Sequence, residues 1–334
     1  MIIQLKQNIR NDEQLSIQHE LNQLSIDSYS VTTQKGSYLI CYPKKEFDIR
    51  KIGHLKGIND VHIVSGNHKM VSHKWKIDRT ILELGDGLKI GDGSLTMMAG
   101  PCSIESETQI YKTIEELKAN GVKVMRGGVY KPRTNPYSFR GLGMDGLKMF
   151  YEACSKNGIK IITEVMEASQ IKEMLPYVDI FQVGARNAQN FNLLEALGDV
   201  DKPVLLKRGI SGTIDELLYS AEYVFKSGNE KLILCERGIR TFENSYRNTL
   251  DLNAVPILKE KSHLPVVVDP SHGIGIRKHV IQMALAAAVV GADGLLVEIH
   301  ETPEKAATDG QQTLDFKEFR KLMTQVNQLK EIIV

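Results

Sequence analysis

The chain of 334 residues carries 42 Lys and Arg against 41 Asp and Glu, a formal net charge of +1, with 42% hydrophobic and 25% charged residues. That balance excludes a nucleic-acid surface built on bulk positive charge but leaves room for a local basic pocket, and the apolar content excludes a disordered chain. At about 150 residues per domain the length fits two domains, and a single α/β barrel of about 250 residues with a small addition fits as well. No stretch approaches the roughly 18 uncharged apolar residues of a membrane span; the longest, 283–290, lies between Lys278 and Asp293. The start, MIIQLKQNIRND, lacks the basic-then-apolar order of a secretory signal. Cys41, Cys102, Cys154 and Cys235 are scattered without a C-x-x-C pair and read as reduced thiols. The expectation is a cytoplasmic protein with no nucleic-acid or membrane partner.

In chain order, residues 1–6 read as a strand, and 12–24 place Ile17, Leu21 and Leu24 at helical spacing. Runs 28–33 and 37–42, joined across Gln34-Lys35-Gly36, signal a hairpin. Residues 48–55 set Ile49, Ile52 and Leu55 on a helical face, and 61–64 read as a strand. The order βαββαβ predicts a small ferredoxin-like α+β domain over residues 1–66. The polar, basic stretch 67–80 reads as a linker, and 81–334 as the main domain. At its start two short alternating runs flank Gly-Asp-Gly, a second hairpin signal.

From residue 95 short apolar runs alternate with amphipathic stretches such as 108–120, 213–226 and 278–290. The runs are 95–100, 122–128, 159–165, 179–185, 203–209, 231–238, 264–270 and 294–300. Near-continuous apolar strands separated by helices mean a parallel sheet covered by helices, and eight such units predict an α/β fold of the (β/α)8 TIM-barrel type. A doubly wound open sheet is the runner-up, but its G-x-G-x-x-G fingerprint is missing after the first run.

Every run ends in ionisable or metal-binding residues, where a barrel carries its chemistry. One set is cationic: Arg126, Lys131, Arg133, Arg186, Lys207, Arg208, Arg237 and Arg240. Gathered at one mouth they need anions, and Arg forks match phosphate and carboxylate. Ion pairing with Glu164 and Glu236 accounts for some of them, Arg208 and Arg240 first. The other set is Cys102, His272, Glu298 and Asp309, from the first, seventh and eighth strand ends and the loop beyond. A thiolate, an imidazole and two carboxylates suit a divalent metal such as Mn, Fe, Co or Zn. His54, His73, His263 and His279 read as surface residues.

The segments AGPCSIES (99–106), RGGVYKPRTNPYSFRGLG (126–143), QVGARNAQNF (182–191), LLKRG (205–209), ILCERGIRTFE (233–243), VDPSHGIG (268–275) and VEIH…DG…Q (297–312) resemble those of metal-dependent 3-deoxy-D-arabino-heptulosonate 7-phosphate (DAHP) synthases. The likeness runs from about residue 85 to the end and fits the short-barrel type I-beta subfamily, grouped with 3-deoxy-octulosonate 8-phosphate synthase. It implies a transferase condensing phosphoenolpyruvate with erythrose 4-phosphate, with release of phosphate, at the entry to the shikimate route to aromatic amino acids. Lys131-Pro132-Arg133-Thr134 is the motif of the heptulosonate enzymes, whereas octulosonate synthases, which take arabinose 5-phosphate, typically carry Lys-Ala-Asn-Arg there.

By the same resemblance Arg126, Lys131, Arg186, Lys207 and Arg237, with the Gly184-Ala185 backbone, contact phosphoenolpyruvate. Pro132, Arg133 and Thr134 contact erythrose 4-phosphate, and Cys102, His272, Glu298 and Asp309 hold the metal. Lys131, Glu164 and Asp269 stand near the reacting centre, with Lys131 as proton donor to the aldehyde oxygen. The N-terminal pattern resembles the ACT-like regulatory domain of some relatives, which implies feedback inhibition by tyrosine or phenylalanine and a homotetramer. The competing expectations are an octulosonate synthase and a non-catalytic sensor of phosphoenolpyruvate and an amino acid.

Overall fold

In the computed structural model, which describes residues 1–45, 47–132, 135 and 137–331, the chain opens with a four-stranded sheet. Strands β1 (Ile2–Leu5), β2 (Ile26–Thr32), β3 (Ser37–Pro43) and β4 (Ile58–His62) lie in the order β2-β3-β1-β4, every neighbour antiparallel. Helix α1 (Asn11–Gln23) covers one face, where Ile17 and Leu21 pack with Ile3, Leu5, Leu39, Cys41 and Ile52. The opposite face sends Ile2, Val31, Tyr38 and Ile40 into the core shared with the rest of the chain.

The second helix expected over 48–55 is absent as such: Ile49–Lys51 make one 3-10 turn capped by Asp48, and the last strand begins at Ile58. Ile49, Ile52 and Leu55 recur every three residues, a spacing that eclipses in a 3-10 turn but drifts around an α-helix.

The remainder is a closed barrel of eight parallel strands. A hairpin of β5 (Leu82–Glu83) and β6 (Lys89–Ile90) precedes it. The barrel strands are β7 (Thr96–Gly100), β8 (Val124–Arg126), β9 (Lys160–Val165), β10 (Ile180–Val183), β11 (Val204–Lys207), β12 (Leu232–Glu236), β13 (Val266–Val268) and β14 (Gly294–Glu298). Each sends one face inward: Met98, Val124, Ile162, Ile180, Leu205, Ile233, Val267 and Leu296 fill the lumen. Their neighbours, such as Ala99, Met125, Ile161, Phe181, Leu206, Leu234, Val266 and Val297, face the surrounding helices. Burial on both faces explains the unbroken apolar runs in the sequence. Leu82 and Ile90 of the hairpin join the lumen cluster and stopper its N-terminal end, so the working mouth is the other one.

Helices α2 (Glu107–Ala119), α3 (Gly143–Lys156), α4 (Ala168–Met174), α5 (Phe191–Gly198), α6 (Ile214–Lys226), α7 (Ala254–Lys261), α8 (Pro270–Ile274), α9 (Arg277–Val289) and α10 (Phe316–Lys330) follow the strands. In α6, Thr213 and Glu216 form a capping box and Leu217, Leu218, Ala221, Val224 and Phe225 make the buried stripe. Losing that cap, as in Thr213→Ala, costs about 1 kcal/mol. Among the described residues no helix is long and apolar enough to cross a membrane.

The stretch 67–80 is packed rather than loose. Met70 and Val71 are fully buried, and their amides donate to the Glu222 carboxylate of α6 at 2.8 and 3.1 Å. His263, expected at the surface, is instead fully buried beneath this stretch. Its Nε2 faces the Met70 carbonyl at 2.9 Å and its Nδ1 the Thr80 hydroxyl at 2.8 Å. The carbonyl only accepts, so Nε2 carries the proton and Thr80 donates to Nδ1. The β2–β3 turn also grips the barrel: Thr33 bonds Glu230, and Gln34 accepts from the Glu230 amide at 3.0 Å.

Candidate active site

The C-terminal strand ends surround a cavity of about 170 Å³. Arg126 ends β8, Lys131 lies in the loop beyond, Glu164 is on β9, Gln182 on β10, Gly184 to Arg186 follow β10, Lys207 ends β11, and Arg237 follows β12. All line the cavity, as do Pro132, Arg240, His272 and Asp309. Arg133 and Thr134, expected to contact a sugar phosphate, lie outside the described residues.

Arg126, Lys131, Lys207 and Arg237 are buried, which charged side chains tolerate only with partners. Arg126 Nη1 donates to Glu298 Oε1 at 2.8 Å and to the Pro101 carbonyl at 2.9 Å. Burial works against its charge, but Glu298 and the groups around it outweigh that and raise its pKa. Its buried Nε has no partner among the described residues. Burial lowers the pKa of Arg237, and Asp269 beside it offsets this only in part. Four buried cations around one cavity fit an anionic ligand. Arg208 is ion-paired as expected: its Nη1 is held by Glu236 and Asp251, each at 2.8 Å, and it does not line the cavity, whereas Arg240, expected to pair as well, lines the cavity with no salt bridge among the described residues.

Gly184 shows how closely the wall is built. A Cβ there would overlap Glu164 Oε1, so only glycine lets that carboxylate cross the end of β10.

The second set converges beside Lys131. One ligating atom each of Cys102, Glu298 and Asp309 lie within 4.8 Å of one another. His272 Nε2 stands 3.6 Å from Glu298 Oε1 and 3.9 Å from Asp309 Oδ2. Cys102 Sγ is 3.2 Å from Asp309 Oδ2 and 3.1 Å from Lys131 Nζ. Burial, then the Glu298 charge, pushes the Cys102 thiol up to about 12. Burial also opposes ionisation of Asp309, but His272 and Arg247 overcome it and bring its pKa down to about 2. A buried and a half-buried carboxylate, a thiol and an imidazole nitrogen aimed at one point are the donor set of a divalent transition ion, and these residues fit one.

Asp269 organises both sets. Its Oδ2 takes Lys207 Nζ at 2.6 Å and His272 Nδ1 at 2.7 Å, and its Oδ1 caps α8 through the His272 amide at 2.9 Å. Burial opposes its charge, but His272 and Lys207 more than compensate, so it stays ionised far below the usual carboxylate range. The bond at Nδ1 leaves Nε2 facing the carboxylates, the arrangement that orients a metal-binding histidine. The segment Asp-Pro-Ser-His-Gly builds this locally: Pro270 starts the short helix and Gly275 ends it in the left-handed region.

Sequence reasoning missed Arg247, Asn248 and Gln182, which also line the cavity. Arg247 and Asn248 sit in an irregular loop with no periodic signal, whereas Gln182, a polar residue inside an apolar strand, was a visible clue.

Residues 72–334 match the DAHP synthetase I family. The chain belongs to that family. Membership in the DAHP synthetase I family makes it an enzyme, a 3-deoxy-7-phosphoheptulonate synthase of the transferase class. It is 52% identical over 266 residues to the phospho-2-dehydro-3-deoxyheptonate aldolase of Thermotoga maritima, covering 80% of this chain and 78% of that one. A 2-dehydro-3-deoxyphosphooctonate aldolase of Geobacter sulfurreducens is more distant, 31% identical over 73% of this chain and 95% of its own. The crystal structure of the Thermotoga maritima DAHP synthase superimposes with a TM-score of 0.79 at 43% identity, covering 99% of this chain and 97% of that one. A truncated form of that synthase gives 0.75 at 48% identity over 80% of this chain and 98% of its own.

Proposed function

We propose that this enzyme condenses phosphoenolpyruvate with erythrose 4-phosphate and releases phosphate, under feedback from tyrosine or phenylalanine. The observation that carries the reading is one cavity shared by Arg126, Lys131, Arg186, Lys207, Arg237 and Arg240, with His272 and Asp309 in the same wall. Arg126, Arg186, Lys207 and Arg237 would hold the carboxylate and phosphate of phosphoenolpyruvate, with the Gly184-Ala185 backbone completing the seat. Pro132, Arg133 and Thr134 would receive the sugar phosphate. A divalent ion (Mn, Fe, Co or Zn) bound by Cys102, His272, Glu298 and Asp309 would supply Lewis acidity toward the aldehyde oxygen.

Lys131 would give its proton to the oxygen of the aldehyde as the enol carbon attacks. Water then adds to the cationic carbon left behind, and phosphate departs among the arginines, which stabilise the charge that develops. Glu164 faces this centre, and Asp269 keeps His272 and Lys207 in place.

Residues 1–66 form the regulatory unit in this reading, 67–80 its connection and 81–334 the catalytic barrel, in a cytoplasmic homotetramer. The grip of Thr33 and Gln34 on residue 230 offers a route from the small sheet to the strand that ends at Glu236.

Phosphate release from phosphoenolpyruvate tests this, with erythrose 4-phosphate or arabinose 5-phosphate, after chelation, with and without Mn²⁺, and then with tyrosine or phenylalanine. Turnover that needs erythrose 4-phosphate and metal, and drops with an aromatic amino acid, is the expected result. Turnover with arabinose 5-phosphate alone would make it an octulosonate synthase, and turnover with neither sugar a sensor.

A further inference from the structure

Gln312 does not itself line the cavity, yet it bonds residues that do and sits at the centre of the bonds behind the wall. The side chain is fully buried. Its Nε2 donates to Glu298 Oε2 at 2.6 Å, and its Oε1 accepts from Arg247 Nη1 at 2.6 Å. The same Arg247 nitrogen lies 3.3 Å from Asp309 Oδ1. One amide therefore ties the outer oxygen of Glu298 to the guanidinium that holds the outer oxygen of Asp309.

The inner oxygens are left facing each other across the cluster. Glu298 Oε1 points to Arg126 and His272, and Asp309 Oδ2 to Cys102 and His272. The position needs a donor at one atom and an acceptor at the next. A glutamate would set a carboxylate against Glu298, and a lysine an ammonium against Arg247, so a carboxamide answers both neighbours.

The backbone holds the bridge at a fixed distance. Asp309 lies in the left-handed region at φ 51°, and the Gln312 amide donates back to the Asp309 carbonyl at 3.1 Å. Arg247 is placed by its own amide bond to the Ile274 carbonyl at 3.2 Å, passing over Gly275, where a Cβ would overlap the Arg247 side chain.

We propose that Gln312 is a positioning residue that presets the two carboxylates of the metal centre before an ion arrives. The proposal rests on the reading of Cys102, His272, Glu298 and Asp309 as that centre. Gln312→Met removes both hydrogen bonds at similar volume. Gln312→Asn keeps the amide but is one methylene too short to reach both partners, and it serves where the Met variant does not fold.

The test titrates Mn²⁺ into the chelator-treated full chain by calorimetry, and separately phosphoenolpyruvate into the same metal-free protein. Mn²⁺ affinity is expected to fall about 10- to 100-fold in the Met variant and less in the Asn variant. Phosphoenolpyruvate affinity should stay within about twofold, while the metal-free unfolding midpoint falls because Glu298 Oε2 and Arg247 each lose a buried partner. Mn²⁺ affinity within about twofold of the parent would overturn the proposal, as would a fall in phosphoenolpyruvate affinity as large as that in Mn²⁺ affinity. A parent chain that binds no Mn²⁺ at the cluster would sink the metal reading with it, a result separate from a parent that binds and a variant that binds equally well.

Discussion

Lys131 Nζ lies 3.1 Å from Cys102 Sγ and 3.2 Å from the Cys102 carbonyl oxygen. This contact joins the cationic set to the metal set, so a proton on Lys131 is held beside the place where an aldehyde oxygen would be polarised. Burial opposes the Lys131 charge, but Cys102 and Glu164 offset it and raise its pKa, which keeps the amine protonated. Lys131→Met should lower kcat by about 10²- to 10⁴-fold with Mn²⁺ binding retained, measured by phosphate release and calorimetry. Cys102→Ala should instead abolish metal-dependent turnover; full activity in that variant would falsify the metal assignment.

Asp269→Asn tests the residue shared by the two sets. The substitution leaves Lys207, only 4% exposed, without its charged partner, and loosens the orientation of His272. Removing one member of a buried pair costs about 3–5 kcal/mol, and losing the carboxylate behind a ligating histidine costs about 10- to 100-fold in metal affinity. Equilibrium unfolding and Mn²⁺ titration read the two effects separately.

His263 should make the protein sensitive to mild acid. Burial depresses its pKa from 6.5 to about 3. Between those values the unfolded chain binds a proton that the folded chain does not, so stability rises with pH and falls on acidification, by up to about 1.4 kcal/mol per pH unit. His263→Gln should lower stability near neutrality but flatten the profile between pH 7 and 5. Thermal unfolding at a series of pH values compares the two, and identical slopes would remove His263 as the cause.

Gly184→Ala should be a selective catalytic lesion. The added methyl overlaps Glu164 Oε1 and forces that carboxylate aside into the cavity. A displacement of this size costs about 10²-fold in kcat/KM, whereas the unfolding midpoint should move little because the strain is relieved toward open space. Steady-state kinetics and a thermal melt of the same preparation decide it.

Most of the barrel was legible because β7–β14 are buried on both faces, so each strand announces itself as an apolar run with its chemistry at the end. Cys102, His272 and Glu298 could be grouped for the same reason, since they follow strands adjacent in the barrel order. Arg247 was hidden, and so were the contacts of Gln312, although Gln312 itself closes the VEIH…DG…Q motif. Their loops have no period, and their positions depend on tertiary features such as the Ile239–Thr249 bridge and the left-handed Asp309. His263 was misread because a lone histidine after a helix carries no mark of the segment that folds over it. The turn at 49–51 was misread because apolar spacing of three suits a short turn as well as a helix.

The last strand of the barrel pairs with the first, and in that pairing Glu298 stands opposite Gly100, two residues before Cys102. The cluster thus straddles the seam where the cylinder shuts. Along the chain Cys102 precedes Glu298 and Asp309 by most of the barrel, so the donors meet only when the last strand docks on the first. Should the cluster hold an ion, its capture would report a shut barrel, since an unzipped one offers only scattered donors.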